Sequence, residues 1–355
     1  MKNQNKSNLF KIISINLFSV LFIIVLIELI FGYWFDKDNF GPFMREHRNK
    51  NNSYTLKYKG EVYEYVYKRN YYGFRGEHVE PDKIKAIMVS GSTGEERYKP
   101  DRFTITELLN LKLKDSGIDL KIINASIGGQ STRGHIGNFI TWYSKLENFF
   151  PKYILYYIGV NDSEADITIK ADNLTEAEVL NPKPLGQFMD NIKSRSIFSD
   201  VIRKFRQKYY TSKTEIVYDF DNAMKVNKVL SGYKFLNYHD ALKYYDINAV
   251  FLKHDDRIKY YLKNVDTLYK LTTALGAEPI FINTLLSDGY YNEILFSLNL
   301  SLTKHCEIKN YKCIDVARKL EGKEHYWWDQ VHTTTDGSKA ISDLIYPDLI
   351  KIISH

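Results

Sequence analysis

The 355-residue sequence predicts an α/β protein built around a mostly parallel sheet. Three observations lead there. Short apolar runs recur along the chain, each ending in small or polar residues. Amphipathic stretches of helical period separate them. The polar tips fall at the carboxyl ends of the runs, where open α/β sheets bind their ligands. The composition, 44% hydrophobic and 26% charged, is that of a folded chain long enough to bury a large core.

The first element precedes this pattern. Residues 12–34, "IISINLFSVLFIIVLIELIFGYW", are almost wholly apolar, with Glu28 as the single charge. A bilayer core needs about 20 such residues in a helix. Lys2, Lys6 and Lys11 come before it, and Asp36 and Asp38 after it. Positive charge stays on the cytoplasmic side, so residues 1–11 are expected to be a cytoplasmic tail and everything after 34 extracytoplasmic. A cleaved signal peptide would have a shorter apolar core and a small-residue cleavage site, and "FGYWFDKDNF" has neither. Residues 35–82 read as a lead-in carrying a strand or hairpin ("EVYEYVYKRN").

From residue 83 the α/β rhythm begins. "KIKAIMVSGS" is a buried strand running into a turn. "TITELLNLKLKDSG" is an amphipathic helix stopped by Gly117. "LKIINASIGGQS", "YILYYIGVND", "AEPIFINTLL" and "KCIDVA" supply four more strands, and "GSKAISDLIYPDLIKIIS" is a closing helix. Residues 165–235 are polar, break the rhythm and read as an insertion or cap. Cys306 and Cys313 are seven apart and fit no zinc-site spacing. A disulfide between them would contribute about 2.5 kcal/mol on the chain-entropy model; two separate thiols are the alternative.

The formal charge of +6 is spread along the chain, and its basic blocks are short. No basic stripe or nucleic-acid motif accompanies it, so a nucleic-acid partner is not expected.

The strand tips carry the chemistry. Ester hydrolysis through a covalent intermediate needs an activated hydroxyl, an oriented base and donors for the oxyanion. The first tip, "VSGSTGE", offers Ser92, with Ser90 and Thr93 beside it. The second offers the backbone of Gly128 and Gly129, and the third the side-chain amide of Asn161. Near the C-terminus, "DQVH" places Asp329 and His332 three apart, so the carboxylate can hold one imidazole nitrogen.

Four blocks in this order, "SGS" at 90–92, "NASIGG" at 124–129, "GVND" at 159–162 and "DQVH" at 329–332, resemble those of the SGNH hydrolases, the GDSL-like lipase/esterase family. "NYYGFRG" at 70–76 also resembles a lead-in of membrane-anchored bacterial members. The resemblance implies a three-layer α/β/α domain over 83–355 with a mostly parallel five-stranded sheet of flavodoxin-like type, and no metal or cofactor. Ser92 would be the nucleophile, His332 the general base and Asp329 its orienting partner. The Ser92 N–H, the Gly129 N–H and Asn161 would form the oxyanion hole. The usual Gly-Asp-Ser block departs here, with Gly91 in the Asp position. Apart from the resemblance, the aromatic run Tyr326, Trp327 and Trp328 has two readings of equal weight: stacking on a sugar ring, with Trp327 and Trp328 as substrate-binding residues, or packing against the closing helix. The reading is an anchored esterase that removes O-acyl, chiefly acetyl, groups from an envelope or exported polysaccharide. One alternative is an O-acyltransferase served by a membrane acyl-donor protein. A glycan-binding or assembly protein with a silent site is another.

Overall fold

Five strands whose side chains are nearly all apolar lie side by side and parallel in the computed structural model of the chain. It describes residues 2–35, 40–165, 216–231 and 234–354, with a few positions between 167 and 202. In chain order the strands are β3 (Ala86–Ser90), β4 (Ile122–Asn124), β5 (Tyr153–Ile158), β7 (Glu278–Asn283) and β8 (Lys312–Ile314). Their order across the sheet is β4-β3-β5-β7-β8, each pair parallel. This is the doubly wound order with its reversal between β3 and β5, and ligands bind at the carboxyl ends beside such a reversal.

Every residue of β3 and β5 is buried, as befits strands covered on both faces. On one face Met88, Leu155, Tyr157 and Ile282 meet residues of two helices, α2 (Ile105–Asp115) and α6 (Thr335–Ile353), among them Leu109, Leu113, Ile341 and Ile345. The other face is covered from the side of α3 (Thr132–Thr141) and α4 (Asp255–Ala274). There the Tyr156 hydroxyl pairs with Thr272 Oγ1 at 2.6 Å, so its burial leaves no hydroxyl unsatisfied. The α/β/α layering follows from two-sided burial of the sheet. The helix Glu293–Lys309, α5, is tied to β8 by the Cys306–Cys313 disulfide.

A second sheet has three strands in the order β2-β1-β6. Lys50–Tyr58 (β1) and Glu61–Arg69 (β2) form an antiparallel hairpin. Its two turn residues, Lys59 and Gly60, have φ of 54° and 76°, the left-handed pair that matches strand twist. Asp221 accepts both of their amide hydrogens, at 2.8 and 3.0 Å. The third strand, β6 (Ile216–Asp219), lies parallel to β1. Alternation in β2 sends Tyr63, Tyr65 and Tyr67 inward and leaves Val62, Glu64 and Val66 exposed. The stretch expected as an insertion or cap, 165–235, contributes β6 to this sheet; its middle lies largely outside the described residues. The hairpin of the expected lead-in belongs to the same compact unit as the parallel sheet, residues 47–180 and 215–355.

Residues 1–46 and 181–214 make the other unit. Its helix α1 (Lys2–Phe31) contains a stretch, Lys11–Phe31, with mean hydropathy 2.6, long and apolar enough to cross a membrane. Glu28 is well partnered within this unit. Its carboxylate accepts from Trp34 Nε1 at 3.1 Å, Ser196 Oγ at 2.6 Å and the amide of Ile197 at 3.1 Å.

Candidate active site

The site is assembled from three strand tips and one loop. Strand β3 ends at Ser90, Gly91 turns the chain, and Ser92–Glu95 form a single helical turn. A Cβ on Gly91 would lie 2.0 Å from Asn161 Nδ2 and 3.0 Å from the Gln130 carbonyl. Glycine at this position therefore lets the Asn161 amide come up against the Ser92 turn. After β4, Gly129 takes a φ of +81°, a conformation glycine adopts without strain. After β5, Asn161 donates one amide hydrogen to the Gln130 carbonyl at 2.7 Å. That contact orients its side chain and leaves its second hydrogen for a ligand.

The fourth component lies between Trp328 and α6. Asp329 Oδ1 accepts the amides of Val331 and His332 at 2.8 and 2.6 Å. Its Oδ2 is 2.7 Å from His332 Nδ1. His332 Nε2 is 2.9 Å from Ser92 Oγ across 240 residues of chain. With Nδ1–H donating to the carboxylate, Nε2 is left to accept the Ser92 hydroxyl proton. Ser90, the nearby alternative, is fully buried, and its hydroxyl faces Thr93.

Aromatic rings flank the imidazole. Trp328 stacks on it, with centroids 5.7 Å apart and planes 18° apart, and Tyr98 meets it edge-on at 4.9 Å. Phe220 also stacks on Trp328, at 4.9 Å. The expectation that Trp327 stacks on a sugar is corrected by its place in the fold. It is only 3% exposed and is part of the main core, so no face of its ring is open. Trp328 is half-buried and stacks on both Phe220 and His332.

Beside Gly129, Gly128 N–H donates to Glu95 Oε2 at 3.0 Å. Glu95 Oε1 accepts from Tyr67 at 2.6 Å and Arg69 at 3.2 Å, and Arg97 pairs with Oε2 at 3.1 Å. Burial by itself would raise the Glu95 pKa; the Arg69 and Arg97 charges outweigh it and hold the carboxyl below its usual range. Arg75, from the "NYYGFRG" stretch, bonds Asp101, the Lys99 carbonyl and the Glu95 carbonyl. Asp162, beside Asn161, accepts from the Thr132 amide and hydroxyl at 3.0 and 2.6 Å; burial pushes its carboxyl up to about 6. Beneath the Gln130 loop, burial pulls His135 down to about 3, so the ring is neutral near pH 7. Among the described residues no three of His, Cys, Asp and Glu gather into a metal-ligand set.

The structure brings together four residues that the sequence singled out, Ser92, Asn161, Asp329 and His332, and sequence reasoning missed the buried charges packed behind Ser92: Arg69, Arg75, Glu95, Glu96 and Lys99. A signal was present in the run "GEERYK", which puts charges directly behind a buried strand tip. Charges there need buried partners.

No family model matches the chain, and no curated protein matches it. Solved structures similar in fold include a cold-adapted esterase from Pseudoalteromonas, at 15% identity and TM-score 0.41, covering 76% of this chain and 100% of that one. A family 3 carbohydrate esterase from Clostridium thermocellum is 11% identical at TM-score 0.41, covering 76% of this chain and 97% of its own. A GDSL-like lipase from Bacteroides thetaiotaomicron is 14% identical at TM-score 0.38, covering 78% and 92%.

Proposed function

We propose that the chain is a serine esterase of the SGNH type, held at the outer face of a membrane by α1 and acting on O-acyl groups of an envelope or exported polysaccharide. The observation that carries this reading is the unbroken line Ser92 Oγ to His332 Nε2 at 2.9 Å and His332 Nδ1 to Asp329 at 2.7 Å. Nucleophile, base and orienting carboxylate stand within reach of one another.

In this mechanism His332 Nε2 takes the Ser92 proton as Oγ attacks the ester carbonyl. The tetrahedral oxyanion receives the N–H groups of Ser92 and Gly129 and the second amide hydrogen of Asn161. These donors are set before the reaction, so they stabilise developing charge without reorganising. The imidazolium then protonates the leaving sugar oxygen, and the acyl–Ser92 bond remains. Water, deprotonated by His332, adds to that acyl group, and collapse releases the acid and restores Ser92. Asp329 stabilises the imidazolium and fixes its tautomer.

The outside location draws support from the apolar length of α1, from the lysines before it, and from the Cys306–Cys313 pair; disulfides persist in oxidising compartments. Labelling of the folded chain by a fluorophosphonate, lost in Ser92→Ala, tests the nucleophile. No labelling of the wild type would leave the silent binding protein as the better reading. Acetate release from an O-acetylated glycan without an added acceptor supports hydrolysis, whereas acetyl transfer seen only with a sugar acceptor would make the enzyme a transferase.

A further inference from the structure

Lys99 is fully buried, and the mechanism above does not use it. Its ammonium sits 2.9 Å from Glu96 Oε1, 2.8 Å from the Thr333 carbonyl, 3.1 Å from the Thr334 carbonyl and 2.5 Å from Ser338 Oγ. Thr333 is the residue after His332. Glu96 is equally sealed from solvent. Its Oε1 also accepts from Ser338 Oγ at 2.6 Å, and its Oε2 accepts the Ile105 amide at 2.7 Å.

Glu96 ends the Ser92 turn in the left-handed conformation, at φ 50°. A side chain seldom takes that conformation unless its surroundings hold it there. Here it swings the carboxylate away from Glu95 and toward α6. Two segments about 240 residues apart thus share one buried ion pair, and they are the segments that bear Ser92 and His332. Asp329 holds the His332 backbone on its N-terminal side through the His332 amide; Lys99 holds the carbonyls that follow it. Desolvation pulls Lys99 below its ordinary pKa, and the Glu96 charge opposes the shift. A buried ion pair is often no more stabilising than an apolar one of the same shape, so its value is sought in specificity of arrangement.

We propose that Lys99 and Glu96 are positioning residues that set the His332 loop at its working distance from Ser92. The proposal rests on the esterase reading above.

Lys99→Met alone would leave Glu96 buried and unpaired, so the test pairs it with Glu96→Gln. The expected result is a folded protein whose kcat falls roughly 10²-fold, the cost of misplacing a catalytic group by about 1 Å, with KM near the wild-type value. A second readout separates positioning from mere stability. Adding His332→Ala to the double variant should cost far less than it does in the wild type, because the displaced imidazole has little left to lose. Rates within about twofold of wild type, or a full His332→Ala penalty in both backgrounds, would overturn the proposal. A crystal structure of the double variant supplies an arm independent of activity: loss of the His332 Nε2–Ser92 Oγ contact supports the clamp, and its retention overturns it. Should the double variant not fold, Ser338→Ala keeps the ion pair but removes their shared hydroxyl. A several-fold fall in kcat at constant KM then supports the proposal, and an unchanged kcat overturns it. A wild-type chain that fails to label, with Ser92→Ala behaving alike, would sink the esterase reading alone.

Discussion

The two sides of the site are held in different ways, and adjacent glutamates do the holding. Glu95 faces the oxyanion side, where its partners are Arg69, Tyr67, the Gly128 amide and the half-exposed Arg97. Glu96 faces the histidine side, where it and Lys99 are wholly sealed. Two identical residues in sequence point in opposite directions because the helical turn ends between them and the chain reverses hand. The Glu95 cluster braces a loop that presents a backbone N–H, and backbone in a tight turn has little freedom to drift. The Glu96 cluster has to place an imidazole at the end of a side chain, where a small shift of the loop is carried straight to the reacting atom.

The sharpest break of this comparison is at its centre. Ser92→Ala or His332→Ala should lower kcat on the order of 10⁶-fold, since such groups act as a unit; single-turnover acetate release would measure it. Next comes the oxyanion side. Asn161→Ala should cost roughly 10²–10³ in kcat, and steady-state assays on the same ester would show whether KM stays put.

Third, Glu95→Gln sharpens the contrast with Glu96. It strips the charge facing buried Arg69, and stability should fall by about 3 kcal/mol in urea unfolding. Activity of the molecules still folded should fall less than tenfold. A larger kinetic than thermodynamic loss would erase the distinction between the two sides.

The smallest effects on activity come last, in the pH dependence of stability. His135 binds its proton less tightly folded than unfolded. Its contribution is therefore present above the unfolded pKa of about 6.5 and is lost as pH falls toward about 3. Asp162 has the opposite sign. Its pKa is raised to about 6, so stability linked to it is full below about 4 and is lost as pH rises through about 6. His135→Gln should flatten the acid limb of a stability–pH curve, and Asp162→Asn should remove the decline between pH 4 and 6. Denaturation midpoints across that range would read both.

The α/β class, the five strands and the three polar strand tips were legible because each is a local pattern. "AIMVS" and "YILYYI" are apolar throughout, as strands buried on both faces must be. Asp329 and His332 lie within one turn of chain, so their pairing is nearly local too. The hairpin was visible in "EVYEYVYKRN", but its third strand was not. Ile216–Asp219 is four residues long and gains its place only by pairing with β1. Trp327 and Trp328 stand side by side, yet one is core and the other is half-buried against His332, and that depends on which way each ring turns.

By itself the sequence determined where strands end, which residues at those ends can do ester chemistry, and that residues 12–34 are apolar enough to span a membrane. Periodicity and residue type carry that information over a few neighbours at a time. Only the tertiary structure decided that Ser92 and His332 meet, that Gly91 leaves room for the Asn161 amide, and that Lys99 reaches across to the residues after His332. Burial and charge pairing act through space, and no local window of sequence contains both partners.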